Sequence, residues 1–396
     1  MDHKDFLVEP RMIPGSSVTI PGIKIIALDP GKSSMKGRTD NNTFLLPNAA
    51  QITQSEAFFG MPKETDALVR NSDGLFVVGE RAAALLSDSR SSNIESELYG
   101  KNRYASMRFR AILEASLSIA LKKNFFGSWT PDRRIVLVVG IAPGERRETG
   151  MERELISHLA KSYCFDVRFG NRPFEHYEFE IKPGDVILTD QPMGSLISCV
   201  TSNAGKVNPE QEHLLQEPTL VMDVGFRTLD LYYIAGGVLA DTPCTFDNFG
   251  MMEVFRHTIR EIKNKYGNAI NLSQLQYAIR SGSIRTGDWH LGQSHNTPVD
   301  DLLKKNSEAV CQDALDEILN RYDGLQNCHN LVIAGGTGSI WLPFIESRLK
   351  GMDGINIISA NRNDPELPNV FSNVRGFYFF AAQSLLEAGI KKRKEK

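Results

Sequence analysis

The apolar residues of this chain fall into short runs that end in glycine, proline or a carboxylate, a pattern typical of buried strands. Residues 23–46 predict three strands in a meander. Residues 219–241 predict a hairpin followed by a third short strand. The nearly continuous apolar runs at residues 134–141 and 331–334 are expected of strands that are covered on both faces.

Other segments repeat apolar residues at the spacing of an amphipathic helix. The segments that predict helices are residues 103–123, 145–160, 249–266, 301–322 and 371–388. Residues 281–298 are polar and predict a loop.

A chain of 396 residues is too long for one ordinary hydrophobic core, so two domains are expected. Residues 22–200 form the first predicted domain and residues 219–390 the second, because the polar stretch between them is typical of a loop. Each contains a predicted insertion, a small subdomain at about 47–100 and a helical one at about 251–329. Residues 1–21 mix charges with proline and glycine, and we expect them to be a loose N-terminal extension.

Composition narrows the class of protein. Hydrophobic content of 41% and charged content of 23% are those of a soluble globular protein. The net charge of −3 provides no general attraction to nucleic acid or to an anionic membrane. The five cysteines are scattered without metal-binding spacing, and the first residues lack the apolar core of a signal peptide. We therefore expect a soluble, cytoplasmic protein with reduced thiols.

Candidate chemistry lies in the turn of the second-domain hairpin. The apolar run ends in Asp223, and Gly225, Arg227, Thr228 and Asp230 follow. Glycine in such a turn lets backbone N–H groups approach an anion, and a carboxylate at the tip of a strand can hold a hydrated cation. These residues predict a magnesium–nucleotide site. The alternative is a surface hairpin with an ordinary Asp-x-Gly turn.

A second stretch has the same plan. The first apolar run ends in Asp29, Gly31 follows two residues later, and the chain returns through Ser33 and Ser34 to Lys36. A lysine on the returning strand can direct its ammonium group toward phosphate oxygens. Two such hairpins, far apart in the chain, predict one nucleotide held between two similar halves.

Two further positions follow predicted strands. Gly335, Gly336 and Thr337 come directly after an apolar run, and a pair of glycines allows close approach of the backbone to a flat ligand or a phosphate. Gln191 ends another strand and opens a helix. An amide at that place could orient a water molecule, or it could make only a local hydrogen bond at the start of the helix.

Two familiar phosphate-binding motifs are absent from the sequence. A Walker A loop around Gly31 would need a glycine where Ile26 stands. A dinucleotide fingerprint around Gly336 and Gly338 would need a third glycine where Trp341 stands. Neither a P-loop nor a Rossmann site fits.

Together the motifs resemble those of the actin and sugar-kinase superfamily, in the same order and over residues 23–388. Asp29-x-Gly31-x-x-x-x-Lys36 is similar to its first phosphate motif, and Asp223-x-Gly225-x-x-Thr228-x-Asp230 is similar to its second. Gly335-Gly336-Thr337-Gly338 resembles its adenosine motif. Gln191 stands where that family places a water-orienting Gln or Glu. Residues 368–378 resemble the last connecting helix of the ParM branch, the plasmid-segregating bacterial actins.

This resemblance implies an actin-like fold: two mixed-sheet α/β domains, each with an inserted smaller subdomain, and ATP with Mg²⁺ in the cleft between them. Asp29 and Asp223 would hold the Mg²⁺ through water, and Gln191 with Asp223 would position the attacking water. The sequence motifs are compatible with either ATP or GTP as the nucleotide. The residues that would contact the nucleotide are Asp29, Gly31, Ser33, Ser34, Lys36, Gly225, Arg227, Thr228, Gly335, Gly336 and Thr337.

The resemblance also implies a function. An ATPase of the ParM branch would assemble with itself into dynamic filaments and segregate plasmid DNA through a small DNA-bound adaptor, without contacting nucleic acid or a membrane itself. The alternative is a small-molecule kinase of the same superfamily. The N-terminal extension is longer than the few residues usual in that family.

Overall fold

The computed structural model describes residues 2–15, 17–58, 60–88, 100–122, 130, 133–267, 269–287, 295–352 and 354–394. Parts of both predicted insertions, at 89–99 and 288–294, therefore lie outside the described residues. Among the described helices, none is long and apolar enough to cross a membrane.

The strands, in chain order, are β1 Arg11–Pro14, β2 Ile23–Pro30, β3 Ser34–Arg38, β4 Asn42–Pro47, β5 Ala50–Ile52, β6 Ala67–Asn71, β7 Gly74–Val78, β8 Arg134–Ile141, β9 Ser162–Phe169, β10 Glu175–Glu180, β11 Val186–Asp190, β12 Thr219–Val224, β13 Leu229–Ala235, β14 Val238–Leu239, β15 Cys244–Phe246, β16 Ser283–Thr286, β17 His295–Pro298, β18 Asn330–Ala334 and β19 Asn356–Ser359. The helices are α1 Glu80–Asp88, α2 Met107–Leu121, α3 Pro143–Arg146, α4 Met151–Leu159, α5 Gln191–Val200, α6 Met251–Tyr266, α7 Leu272–Ile279, α8 Asp300–Arg321, α9 Gly336–Leu349 and α10 Ser372–Lys394. Short 3₁₀ helices cover His3–Phe6, Lys101–Ala105, Pro183–Asp185, Pro209–Leu215, Asp323–Leu325 and Asn369–Phe371.

The two domains share one topology. In the first, the order is β1-β4-β3-β2-β8-β11, with β2 antiparallel to β3 and parallel to β8. In the second, the order is β14-β13-β12-β18-β19, with β12 antiparallel to β13 and parallel to β18. Each sheet thus has an antiparallel hairpin beside parallel strands. The predicted pair of mixed-sheet α/β domains is confirmed, as are the meander of the first domain and the hairpin of the second.

The smaller subdomain of the first domain is built from two separate stretches. Its sheet has the order β10-β9-β6-β7-β5, so strands from residues 50–78 pair with strands from residues 162–180. In the second domain, the predicted loop at 281–298 is wrong where the structure describes it. There β16 pairs with β17 in an antiparallel hairpin, because alternate residues such as Ile284 are buried while their neighbours face outward.

The predicted single helix at 145–160 is also wrong. The structure has two helices there, α3 from Pro143 and α4, separated by a turn that ends at Gly150. Gly150 has a φ of +88°, a left-handed conformation that cannot continue a right-handed helix. The other predicted helices correspond to α2, α6, α8 and α10, with ends that differ by a few residues.

Helices α5 and α10 tie the domains together by exchanging partners. Helix α5 follows a first-domain strand but packs Leu196 and Cys199 against the second-domain sheet. Helix α10 follows the second domain but packs Phe377 against the first-domain sheet. The two helices cross where Gly194 meets Gly376, and a Cβ atom on Gly376 would lie 1.7 Å from the carbonyl oxygen of Gly194. Glycine is required at this crossing because any side chain would push the helices apart.

The N-terminal extension is ordered, so the expectation of a loose segment is wrong. Phe6 is 6% exposed and lies in the core of the second domain. Strand β1 adds an edge to the sheet of the first domain by pairing with β4. The few apolar residues of the extension could not form a core of their own, but each of these two pieces completes a core or a sheet that already exists.

Candidate functional site

A cavity of about 460 Å³ lies between the two domains, and every residue predicted to contact the nucleotide or the attacking water lines it. The topology explains this convergence, because the tips of β2, β12 and β18 and the start of α5 all face the same cleft. The predicted residues on its wall are Asp29, Gly31, Ser33, Ser34, Lys36, Gln191, Asp223, Gly225, Arg227, Thr228, Gly335, Gly336 and Thr337.

In the first motif, strand pairing brings Asp29 and Lys36 together. The two residues are direct partners across the β2–β3 hairpin, and Lys36 Nζ lies 3.0 Å from Asp29 Oδ2. Gln191 Nε2 donates to Asp29 Oδ1 at 2.6 Å. Asp29 is 2% exposed, so these two donors replace the water that burial removes. A Cβ atom on Gly31 would lie 2.7 Å from Lys36 Nζ, so the absence of a side chain there leaves room for the ammonium group.

In the second motif, Asp223 and Asp230 are direct partners across the β12–β13 hairpin. Asn373 Nδ2 donates to Asp223 Oδ2 at 2.7 Å, while Thr228 Oγ1 donates to Asp230 Oδ2 at 3.1 Å. Burial raises the pKa of Asp223 to about 6, and the nearby Asp29 carboxylate adds to this rise. Burial also raises the pKa of Asp230 well above its usual range.

Thr245 links the second motif to the first domain. Its Oγ1 donates to Asp230 Oδ1 and accepts a hydrogen bond of 2.8 Å from the backbone N–H of Gly144. The sequence motifs did not indicate Thr245, because the contact joins a β15 residue to Gly144 in α3 of the other domain.

The third motif places the start of α9 against the second phosphate turn. Gly335 has a φ of +82°, and a Cβ atom there would lie 2.3 Å from the carbonyl oxygen of Val224 and 2.7 Å from Asp223 Oδ1. Thr337 Oγ1 donates to the carbonyl oxygen of Gly225 at 2.7 Å. The free N–H groups of the first turn of α9 therefore start at the cavity, where they can bind an anion.

Sequence reasoning missed a buried cluster of charged residues on the cavity wall. Lys32 Nζ lies 2.5 Å from Glu145 Oε1, and Arg103 Nη2 lies 3.1 Å from Glu145 Oε2. Burial opposes ionisation of Glu145, but Arg103 and Lys32 lower its pKa to about 2. Burial and the neighbouring Arg103 lower the pKa of Lys32 to about 8. Lys32 stands inside the first motif and could have been suspected, whereas Arg103 and Glu145 carry no local signal.

The residues fit a hydrated divalent cation beside a polyphosphate. Asp29 and Asp223 are buried carboxylates, one from each domain, that face the same cavity. Lys36 and Arg227 bring positive charge from the two sides. Among the described residues, no three Cys, His, Asp or Glu side chains are grouped to hold a metal ion directly, and the predicted contact through water does not require such a group.

No protein-family model matches the sequence, and no curated protein matches it significantly. Solved structures do match the fold. A 15-stranded ParM filament from Clostridium botulinum has a TM-score of 0.68 at 17% identity and covers 91% of this chain and 99% of its own. The actin-like protein Alp7A has a TM-score of 0.65 at 13% identity and covers 94% and 99%.

An archaeal actin homologue, Ta0583, solved in complex with ADP, has a TM-score of 0.60 at 17% identity and covers 91% of this chain and 99% of its own. At these identities the likeness concerns the fold. The chain therefore has the actin-like fold over nearly its whole length, and its resemblance to ParM is confirmed at that level.

Proposed function

We propose that the protein binds Mg-ATP in the interdomain cleft, hydrolyses it, and assembles with itself into dynamic filaments. The observation that carries this proposal is the convergence of the phosphate motifs, the adenosine motif and Gln191 on one cavity between two domains of the same topology. The structural relatives support it, since one is described as a ParM filament and another as a complex with ADP.

The residues of the cleft would have different roles in phosphoryl transfer. Asp29 and Asp223 would hold the hydrated Mg²⁺, and this ion, when bound, neutralises part of the negative charge of the phosphates. Lys36 and Arg227 would contact phosphate oxygens from opposite domains, together with backbone N–H groups of the two turns. Gly335 and its neighbours would pack against the nucleoside. The fold thus contributes mainly positioning and charge stabilisation.

Gln191 and Asp223 would act on the attacking water. Gln191 uses its Nε2 to bind Asp29, which leaves its carbonyl oxygen available to accept a hydrogen bond from water. Burial raises the pKa of Asp223 to about 6, but a neighbouring Mg²⁺ would lower this pKa again, so Asp223 would serve as a carboxylate that accepts a hydrogen bond from the water. Together Gln191 and Asp223 would orient the water for attack.

At the cellular level, we propose that closure of the two domains around ATP favours assembly and that hydrolysis weakens the filament. By analogy with ParM, such filaments would segregate plasmid DNA in the cytoplasm through a small DNA-bound adaptor. The protein itself would contact neither DNA nor membrane, in agreement with its net charge of −3.

The test is 90° light scattering of the purified protein after addition of Mg-ATP, with Mg-ADP and Mg-GTP as controls and phosphate release followed in parallel. We expect scattering to rise above a critical concentration and to decay as phosphate appears. Phosphate release with flat scattering would overturn the filament proposal and direct the search to a small molecule that accepts the phosphoryl group. Absence of both signals would overturn the whole proposal.

A variant ties the signal to this cleft. Asp223→Ala should abolish phosphate release, because it removes a cation-binding carboxylate from the centre of the site. Asp241→Ala is the matched control. Asp241 lies between β14 and β15, outside the cavity wall, and pairs with Arg321 at 3.1 Å. We expect normal turnover in the control, and normal turnover in Asp223→Ala would contradict the site assignment.

A further inference from the structure

We propose that residues 2–14, here called the N-terminal strap, form part of the nucleotide site and fasten the two domains together across it. Nucleotide would then leave only when one end of the strap detaches. This inference rests on the proposed nucleotide-binding function, and it is carried by contacts that the phosphate motifs do not include.

The first end of the strap is anchored in the second domain. The Phe6 ring is buried in the core of that domain, with its centroid 6.5 Å from the ring of Phe255 on α6. The backbone N–H of His3 donates to Asp300 Oδ1 at 2.6 Å, and His3 Nδ1 lies 3.0 Å from the same oxygen. The His3 ring packs on Gly282, where a Cβ atom would approach it to 2.6 Å. This end therefore has an apolar and a polar anchor.

The second end is anchored in the first domain. Strand β1 pairs antiparallel with β4, in register from Arg11 opposite Leu45 to Pro14 opposite Asn42. The backbone N–H of Gly15 donates to the carbonyl oxygen of Asn41 at 3.0 Å. The strap thus continues the sheet whose central strand carries Asp29.

Between its anchors the strap borders the nucleotide cavity. Residues 4–9 and Arg11 line the same cavity as the phosphate motifs. Glu9 also acts on Arg280 of the second domain, because burial lowers the pKa of Arg280 and the Glu9 carboxylate opposes that shift. The strap is therefore a wall of the site as well as a connection between domains.

The short distance between the anchors makes the strap a restraint. Only residues 7–10 connect Phe6 to β1, and they contain no helix that could unwind to supply length. Phe6 and Arg11 are five residues apart, and a fully extended chain of that length spans at most about 18 Å. Wide separation of the domains at this position therefore requires Phe6 to leave its pocket or β1 to leave the sheet.

The experiment measures release of a fluorescent ADP analogue, with magnesium, from the full-length protein after a chase with excess unlabelled ATP. Phe6→Ala should accelerate release by about tenfold or more, since burial of a large apolar side chain contributes a factor of that order. Asp300→Ala removes the polar anchor without altering the core and should accelerate release by a smaller factor.

Asp301→Ala is the matched control for Asp300→Ala, because both carboxylates lie in the first turn of α8 and only Asp300 binds His3. We expect wild-type release from this control. In the double variant Phe6→Ala/Asp300→Ala, release should be faster than in either single variant, because the two anchors hold the same end of the strap and both must break before that end detaches.

The outcomes separate the strap from the function on which it rests. If the wild-type protein binds no ADP analogue, the proposed nucleotide site fails. If it binds but both single variants release the analogue at the wild-type rate, the strap inference is overturned and the nucleotide site stands. Asp300→Ala keeps the test decisive if Phe6→Ala does not fold.

Discussion

Gln191 occupies its place for reasons that are local. Strand β11 delivers it to the cleft, and Pro192 at the start of α5 fixes the turn into the helix. Its Nε2 donates a hydrogen bond to Asp29, which also accepts one from Lys36. A single amide is thus positioned by a strand, a helix and a buried carboxylate, which is the type of support that a water-orienting residue needs.

Gln191→Ala should therefore slow phosphate release by about two orders of magnitude, the typical contribution of one positioned acid–base group. Nucleotide affinity should change little, because Asp29 keeps its contact with Lys36. Phosphate release and a fluorescence titration with nucleotide measure the two quantities separately. Gln383→Ala, on the exposed face of α10, should turn over normally. Unchanged turnover in Gln191→Ala would remove this residue from the mechanism.

At the same scale, the sequence identifies some functional residues and not others. Asp29 and Lys36 can be identified from the sequence, because both lie on one hairpin and their spacing along the chain predicts their contact. Arg103 and Glu145 could not be identified from the sequence, because Lys32, Arg103 and Glu145 lie on elements that are far apart in the chain. Their contacts form only in the folded protein and leave no local sequence pattern.

Among the elements, the crossing of α5 and α10 is the most demanding contact. Gly376→Ala would place a methyl group 1.7 Å from the carbonyl oxygen of Gly194, and backbone cannot yield as a side-chain end can. We expect the free energy of unfolding to fall by at least about 2 kcal/mol, in the range of overpacked cores. Urea denaturation measures this change.

Gly389→Ala provides a control on the same helix. Its Cβ atom would meet nothing within 4 Å, and Gly389 is exposed. Since alanine is the better helix former, this variant should gain up to about 1 kcal/mol. If Gly376→Ala is as stable as Gly389→Ala, the two helices do not cross as closely as described.

Helix α10 shows that a sequence pattern can predict an element without predicting what it packs against. Its apolar spacing predicts its existence, but the same spacing does not say that Phe377 packs under the sheet of the other domain. Likewise, the alternation in residues 283–286 is too short to identify β16 without its partner β17. Local patterns define elements, and long-range pairing defines their neighbours.

For the whole molecule, several of the described contacts connect the two domains around the cleft, and one of them is the hydrogen bond of 2.8 Å from Gly144 to Thr245. The α5–α10 crossing closes the base of the cleft by backbone contact. The N-terminal strap spans the cleft through Phe6 and β1. Beside Glu9 of the strap, Arg280 of the second domain pairs with Glu80 of the first. The α5–α10 crossing can serve as a hinge because its close backbone contact leaves no freedom to slide. Opening would then separate the strap, the Arg280–Glu80 pair and the Thr245–Gly144 bond.

Substitution of the Arg280–Glu80 pair tests whether this contact limits opening of the cleft. Glu80 also binds Lys63 at 2.8 Å within its own domain, so Arg280→Gln removes the bridge between domains and leaves Glu80 paired. A partly exposed ion pair contributes up to about 1 kcal/mol, so release of the fluorescent ADP analogue should accelerate about two- to fivefold, less than in Phe6→Ala. The ionic-strength dependence of release should weaken in the same variant, because salt screens the pair that it lacks. Arg348→Gln is the control, because Arg348 forms an ion pair of 3.5 Å with Asp316 inside the second domain, and it should retain both the wild-type rate and its salt dependence. If Arg280→Gln releases nucleotide at the wild-type rate and keeps the wild-type salt dependence, the Arg280–Glu80 pair does not limit opening of the cleft.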